Sequence, residues 1–170
     1  MVNQLQPRTV TPSPSLLTIG YEGLSIEAFI DRLKEVRVSL VVDVRELPLS
    51  RKKGFSKSSF RERLAAERIG YQHLPALGCP RPVRDRYKSD GDWQAYTRAF
   101  LAYLATQRVE VFNLAETARE SRACLVCYEA DHAVCHRTYV ARAAHAAGAP
   151  RVQHLSARTV VSDVSASLAA

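Results

Sequence analysis

The stretch LVCYEADHAVCHR, residues Leu125–Arg137, holds two cysteines, two histidines, a glutamate, an aspartate and an arginine within thirteen positions. It begins in the apolar run 123–126, which is typical of a buried strand, and it ends in a pattern that starts a helix. Ligands of open α/β sheets bind at the carboxyl edge, where strands end and helices begin. We therefore expect the polar side chains of this stretch to form a site at such an edge.

Apolar runs elsewhere in the chain predict further strands, and patterns of helical spacing separate them. This alternation is typical of a parallel sheet covered by helices. The sequence predicts an α/β fold, a single three-layer domain over residues 16–155 with a mostly parallel sheet of about five strands and helices on both faces. The predicted strands are 16–19, 40–44, 71–74, 123–127 and 152–155, and the predicted helices are 26–33, 56–69, 93–104, 109–119 and 134–147.

Three segments are predicted to lie outside this regular structure. Residues 1–15 are rich in Pro, Ser and Thr, which favours a disordered leader. Residues 75–91 carry three prolines and four cationic side chains, which favours a basic loop that could act as a lid. Residues 156–170 form a C-terminal tail, either an edge element or a disordered segment.

The charge of the chain favours anionic partners. Its 24 Lys and Arg against 17 Asp and Glu give a net charge of +7, which suits a nucleotide, a phosphorylated metabolite or nucleic acid. No apolar run has the length of a membrane span, and residues 1–15 lack the apolar stretch of a secretory signal. We expect a cytoplasmic protein with no membrane partner, whose cysteines are free thiols, Cys79 and Cys124 being packed in the core.

Several cationic side chains follow predicted strands, where they could bind an anion. Asp43 and Arg45 flank Val44 at period two, so both should point to the same side of the strand end, to hold a substrate or to pair with each other. Arg51 opens a basic turn at 51–54 that could receive a phosphate or simply face solvent. The predicted ligand-binding residues are Tyr21, Asp43, Arg45, Arg51 and Arg137.

Two cysteines are candidates for catalysis. Cys127 ends a predicted strand, and Cys135 lies in the first turn of the next predicted helix, where the helix terminus and His136 should lower its pKa and favour the thiolate. Packing in the core is the alternative for both. Glu129 and Glu22 follow two strands and could act as general bases or hydrogen-bond to loop backbone. The predicted catalytic residues are Cys127, Glu129, Cys135 and His136.

A metal is an alternative use of the same segment. Cys127, His132, Cys135 and His136 supply two sulfurs and two imidazoles within ten positions. Their spacing does not match paired CxxC knuckles, and Cys124 and Cys127 lie on one strand, whose period turns them to opposite faces. We therefore do not favour a metal, although a catalytic one stays open. No GxGxxG or Walker sequence indicates a nucleotide cofactor, so the cofactor is unknown.

Spacing also separates this chain from two families of cysteine enzymes. Tyrosine phosphatases carry an arginine after five residues that follow the cysteine, whereas this chain has Ala133 after Cys127 and Ala141 after Cys135. Rhodaneses carry an Asp-Val-Arg on an early strand, as residues 43–45 do. Their anion-binding loop is rich in glycine and arginine, whereas the stretch after Cys127 has no glycine. A thiol redox or sulfurtransferase-like function is therefore an alternative by analogy.

The order of several motifs is similar to that of a known family. The motifs are residues 18–21, 42–45, 71–75 and 77–78, together with Pro48, Ser50, Arg51, Trp93 and Tyr96, and the final pair 127–129 and 135–137. In this order the chain resembles the bacterial and archaeal family known as domain of unknown function 488 over nearly all of residues 18–155. The resemblance implies an α/β fold and a cluster of polar residues, but no reaction. Tyr21 stands where that family often has histidine.

The function that we expect is that of a small enzyme, a hydrolase or group transferase, acting on an anionic ligand that bears a nucleotide or phosphate. One alternative is a nucleic-acid-binding accessory protein without catalysis, which would use the basic turn 51–53 and the segment 81–88. The other is the thiol redox or sulfurtransferase-like protein described above.

Overall fold

A six-stranded sheet forms the centre of the computed structural model, which describes residues 14–164. Its order is β3-β2-β4-β1-β5-β6, in which the first five strands run parallel and β6 pairs antiparallel with β5. The predicted α/β class with a mostly parallel sheet is confirmed, with one strand more than expected. The strands are β1 (Leu16–Gly20), β2 (Leu40–Asp43), β3 (Gly70–His73), β4 (Ala123–Cys127), β5 (Val152–Leu155) and β6 (Val160–Ser162).

Helices connect these strands. Two of the helices begin at capping side chains. Ser25 Oγ accepts a hydrogen bond from the backbone N–H of Ala28, and Asp92 Oδ1 accepts one from the backbone N–H of Ala95. None of the helices within residues 14–164 combines the length and the apolar character that a membrane crossing requires. The helices are α1 (Ile26–Glu35), α2 (Lys57–Ala66), α3 (Arg81–Asp90), α4 (Trp93–Leu104), α5 (Arg108–Glu120) and α6 (His136–Ala146).

Successive residues of each strand face opposite layers of helices. Leu16 and Leu125 pack with the helices α4, α5 and α6, whereas Leu17 and Cys124 pack with α1 and α2. The central strands are buried on both faces, so their side chains are apolar along the whole strand rather than at alternate positions. The result is a three-layer arrangement with two apolar cores.

The prediction of a basic loop at residues 75–91 is wrong, because most of this segment is helical. A single 3-10 turn, Pro75–Leu77, precedes α3. Pro82 lies in the first helical turn, where its missing N–H costs no hydrogen bond, and Gly91 ends the helix in the left-handed region at φ 65°. Arg81 and Arg86 also pair with the aspartates four residues later.

Two element boundaries also differ from the prediction. Helix α2, predicted over residues 56–69, ends at Ala66, and the left-handed position beyond it is filled by Arg68 (φ 60°). Strand β3 begins at Gly70, one residue before the predicted strand. The helix predicted at 134–147 begins at His136, because a 3-10 turn, His132–Val134, precedes it.

The ends of the chain are described only in part. Residues 1–13 of the predicted leader lie outside the described residues, and Ser15 is buried beside β1. In the tail, residues 160–162 form the edge strand β6, while residues 165–170 lie outside the described part.

The connections leave a crevice between β1 and β4. The chain leaves β1 through α1, which covers one face of the sheet, and leaves β4 through α6, which covers the other face. Neighbouring strands whose connections depart to opposite faces leave space at their carboxyl ends, and ligands of α/β proteins bind there. The stretch Leu125–Arg137, which is dense in reactive side chains, therefore lies at this crevice.

His154 is a buried histidine on β5. Its Nδ1 lies 2.8 Å from Thr18 Oγ1, and its ring stacks on that of His132 at 4.0 Å between centroids. Asp163 lies 3.4 Å from Nε2, but burial and the neighbouring imidazole outweigh that carboxylate and lower the pKa of His154 to about 4. The ring is therefore neutral in the folded protein at neutral pH.

This histidine should make stability depend on pH. The unfolded chain takes up a proton at His154 near the ordinary pKa of 6.5, whereas the folded chain excludes it until about pH 4, so stability should fall as pH drops through this window. Urea unfolding at pH 7 and pH 5 measures the loss, which should be smaller in His154→Gln. An equal loss in both proteins would contradict the assignment.

Candidate functional site

A cavity of about 470 Å³ opens at the carboxyl edge of the sheet, within the size range of small-molecule sites. Its wall combines residues that follow β1, β2, β3 and β4, because the carboxyl ends of these parallel strands meet at one edge of the sheet. Side chains from α3 and α4 complete it. The lining includes Tyr21, Arg45, Arg51, Cys79, Arg84, Lys88, Trp93, Cys127, Glu129 and His136.

At the end of β2, Asp43 and Arg45 form a buried ion pair. Arg45 donates from Nε to Asp43 Oδ1 at 2.8 Å and from Nη2 to Oδ2 at 2.6 Å. Its Nη1 donates to the Tyr21 hydroxyl and to the carbonyl of Phe55, and Tyr71 donates its hydroxyl to Asp43. Burial opposes the charge of Arg45, but Asp43 outweighs it and raises the pKa of the guanidinium.

These contacts change the role expected of Arg45. Its guanidinium borders the cavity, yet four of its hydrogen bonds go to protein groups and it is only 6% exposed. It therefore holds Tyr21 and the backbone at Phe55 in place, and other cations are better placed to meet a ligand.

The end of β4 and the start of α6 bring four reactive side chains together, which we call the reactive cluster: Cys127, Glu129, Cys135 and His136. Glu129 Oε2 lies 3.1 Å from the Sγ atoms of both cysteines, and Cys127 Sγ lies 3.6 Å from His136 Nδ1. Cys135 is the N-cap residue of α6, just before the first turn in which it was predicted. The reactive atoms of all four predicted catalytic residues thus lie within 4.8 Å of one another.

The cluster distributes negative charge unequally. Burial opposes ionisation of Cys135, but hydrogen bonds from Cys127 and His136 outweigh it and lower the pKa of the Cys135 thiol. The hydrogen bond to Cys135, together with burial, raises the pKa of Cys127. Burial, and then the charge of Cys135, raises the pKa of Glu129. Cys135 is therefore the thiol that ionises first.

His136 is held in one orientation. Its Nε2 lies 2.9 Å from the carbonyl oxygen of Val44, which can only accept, so Nε2 carries a hydrogen. The ring also packs against that of Phe100 in a T-shaped arrangement at 5.3 Å between centroids. Nδ1 is consequently the nitrogen that faces Cys127.

Arg137 lies beneath the site instead of in it. The side chain is fully buried and does not line the cavity, so it is not placed to contact an anion there. Its Nη1 donates to the carbonyl of Glu129 at 2.6 Å, and its other nitrogens donate to the carbonyl of Ala130 and the hydroxyl of Thr18. The arginine positions the loop that carries Glu129.

Two other residues lie apart from the cluster. Glu22 accepts a hydrogen bond from the backbone N–H of Ala130 and borders a different depression, so it is a loop-binding carboxylate. His132, which the sequence grouped with the cysteines as a metal ligand, is turned to β5, where it stacks on His154. Glu129 takes its place in the reactive cluster.

The remaining cysteines are packing residues. Cys124 is fully buried in the core beneath α1 and α2, on the opposite side of β4 from Cys127, as its position in the strand predicted. Burial raises the pKa of the Cys124 thiol to about 12 and that of Cys79 to about 11.

Three cations that contact the cavity come from the loop after β2 and from α3: Arg51, Arg84 and Lys88. Arg84 donates from Nη2 to Glu46 at 2.5 Å, while its Nε is buried without a hydrogen-bond partner among residues 14–164. Arg51 was predicted from the sequence. The other two were missed as site residues because their helix was taken for a loop, although the basic composition of 81–88 was the available signal.

Gly20 makes room for the loop of Glu129. It pairs with Cys127 across the two strands, and a methyl group at this position would collide with the carbonyl oxygen of Glu129. Only glycine allows this close approach of the two chains.

Comparison with known families gives one match. Residues 25–144 match the model of the family described as "Domain of unknown function DUF488". No curated protein and no solved structure matches the chain. The matched region contains the whole reactive cluster and α3, and it confirms the resemblance seen in the motifs.

The buried pair at the end of β2 should dominate local stability. Asp43→Asn leaves the buried Arg45 without its counter-charge, which should lower the free energy of unfolding by about 3–5 kcal/mol. Glu67→Gln is the matched control, because it breaks an exposed pair with Lys34 and should change stability little. Urea denaturation followed by circular dichroism compares the variants, and equal effects would contradict the structural role of Asp43.

Proposed function

We propose a function from the site itself, because the chain belongs to the DUF488 family and that description names no reaction. The protein is an enzyme, a hydrolase or group transferase, whose cavity binds an anionic ligand that bears a phosphate and an aromatic ring, as a nucleotide does. One observation carries this proposal: the same cavity is bordered by cations, aromatic rings and the reactive cluster.

The cations account for the anionic part of the ligand. Arg84 is half-buried, Arg51 and Lys88 are exposed, and all three border the cavity. The part-exposed guanidinium of Arg84, whose Nε has no hydrogen-bond partner among residues 14–164, can donate charge-assisted hydrogen bonds to a phosphate oxygen.

The aromatic rings account for the planar part. Trp93 and Tyr96 stack at 4.7 Å between centroids, and Tyr87 meets Trp93 at 5.6 Å. All three rings border the cavity, as do those of Tyr21 and Tyr128. Rings in such numbers suit a flat aromatic ligand, which gains from stacking and from apolar burial.

The reactive cluster accounts for the chemistry. Cys127, Glu129 and His136 border the cavity and can touch a bound ligand, while Cys135 lies behind them and is 1% exposed. Glu129 is suited to accept and return a proton while an electrophilic group of the ligand passes to water or to another acceptor. This arrangement favours hydrolysis or group transfer.

Binding of nucleic acid is less well supported. Arg81 and Arg86 on the outer side of α3 pair with Asp85 and Asp90, so much of the basic charge of this helix is locally balanced. A concave cavity also suits a small ligand better than a phosphate backbone. A steep loss of RNA or DNA affinity with rising salt would favour this alternative.

Trp93, the only tryptophan of the chain, reports on the cavity. AMP or ATP should change its fluorescence in a saturable way, and Arg84→Gln should weaken binding about tenfold or more, since a charge-assisted hydrogen bond contributes about 1.5–3 kcal/mol. Arg86→Gln, two residues away on the same helix but outside the cavity lining, should bind as the native chain does. No saturable response to nucleotides, or equal losses in both variants, would contradict the proposal.

Turnover should depend on Glu129. Native protein incubated with a panel of nucleoside mono- and triphosphates should form a product that mass spectrometry detects. Glu129→Gln removes the proton acceptor and should lower that rate at least a hundredfold. The fluorescence titration checks that this variant still binds nucleotide, and product formation at the native rate by Glu129→Gln would contradict its catalytic role.

A further inference from the structure

The reactive cluster has the composition of a metal site. It offers two thiols, one imidazole and one carboxylate, whose ligand atoms all lie within 4.8 Å of one another. Cysteine and histidine together select zinc among the common divalent ions, and a carboxylate is a regular third type of zinc ligand. We infer that Cys127, Glu129, Cys135 and His136 bind a zinc ion.

The distances fit a tetrahedral ion. Bonds of about 2.3 Å to sulfur and about 2.0–2.2 Å to nitrogen or oxygen place neighbouring ligand atoms about 3.3–3.8 Å apart. Here Glu129 Oε2 lies 3.1 Å from each sulfur, and Cys127 Sγ lies 3.6 Å from His136 Nδ1. The other pairs of ligand atoms lie within 4.8 Å, so shifts of up to about 1 Å by these side chains would complete the geometry.

The surroundings orient the four ligands. A histidine that binds zinc through one nitrogen usually donates from the other to a carbonyl or carboxylate, and His136 Nε2 donates to Val44 in this way. Arg137 holds the backbone of Glu129 from behind, and Gly20 allows that loop to approach. The ligands are thus held in place by contacts outside the cluster.

The ligand spacing explains why a zinc site was not favoured by the sequence. Knuckles of the CxxC type take both cysteines from one tight turn, whereas here Cys127 and Glu129 leave a strand and Cys135 and His136 begin a helix. The end of β4 and the start of α6, rather than a hairpin, bring these two pairs of ligands together. His132 is excluded because its ring stacks on His154.

The zinc ion would border the cavity. Three of its ligands line the wall, and Glu129 is the most exposed of the four, so it is the ligand that an incoming oxygen can replace. If the proposed function holds, that oxygen belongs to the phosphate-bearing ligand or to water, and the displaced carboxylate of Glu129 is then free to accept a proton. Zinc binding itself does not depend on the proposed function, because all four ligands come from the chain.

Metal analysis of the full chain tests this inference. Protein purified under reducing conditions, supplied with zinc and dialysed, should retain about one zinc per chain by mass spectrometry of the elements. Cys135→Ala and Cys127→Ala should each retain far less, whereas Cys124→Ala, which changes the same strand on its opposite face, should retain the native amount. Substoichiometric zinc in the native chain, or an equal loss in Cys124→Ala, would overturn the inference.

Cobalt gives a second measurement that needs no variant. The native chain loaded with Co²⁺ should show a near-ultraviolet thiolate-to-cobalt band and the visible absorption of a tetrahedral ion, and added zinc should remove both. Absence of the thiolate band would overturn the inference even if the cysteine variants fail to fold. AMP titration followed by Trp93 fluorescence is run on the same samples, so failure of zinc binding and failure of ligand binding are seen separately.

Discussion

One buried cation supports the whole site. Arg137 is fully buried in the first turn of α6, and it donates to the carbonyls of Glu129 and Ala130 and to the hydroxyl of Thr18. These bonds tie the loop after β4 to β1 and to the helix that carries Cys135. A buried charge is unfavourable unless its donors are hydrogen-bonded. If the loop moved away, the buried guanidinium of Arg137 would lose its acceptors, so the loop is held in place. The spacing within the reactive cluster depends on this constraint.

The same edge of the sheet is reinforced from β2. Asp43 and Arg45 form a second buried charged group, and the hydroxyls of Tyr21 and Tyr71 join it. The two groups have different effects, because Arg137 fixes the reactive cluster while Arg45 fixes the wall beside it. Both arginines are conspicuous in the sequence as possible anion ligands, and both instead use most of their donors on the protein.

The elements that depend on local sequence patterns were predicted correctly, whereas the side-chain positions that depend on contacts between distant residues were not. Apolar runs and helical spacing located five strands and most helices, because burial of one face of an element leaves a pattern over a few residues. Three prolines in 75–91 suggested a loop, although a proline in a first turn is compatible with α3. Glu129 lies in the reactive cluster and His132 does not, because the ring of His132 stacks on His154 of β5. The spacing of residues along the chain does not reveal such a contact. The burial of Arg137 is equally invisible in the chain.

The cavity draws its two kinds of residue from different parts of the chain. The reactive cluster lies within the ten residues that join β4 to α6. Arg84, Lys88 and the aromatic rings of α3 and α4 that border the cavity lie between β3 and β4. Under the proposed function, ligand recognition and chemistry are therefore carried by separate segments. Arg84 and Lys88 lie on α3, a helix none of whose residues is buried, so substitutions there leave the core and the reactive cluster in place. Specificity for a ligand could in this way diverge while the reactive cluster stays fixed.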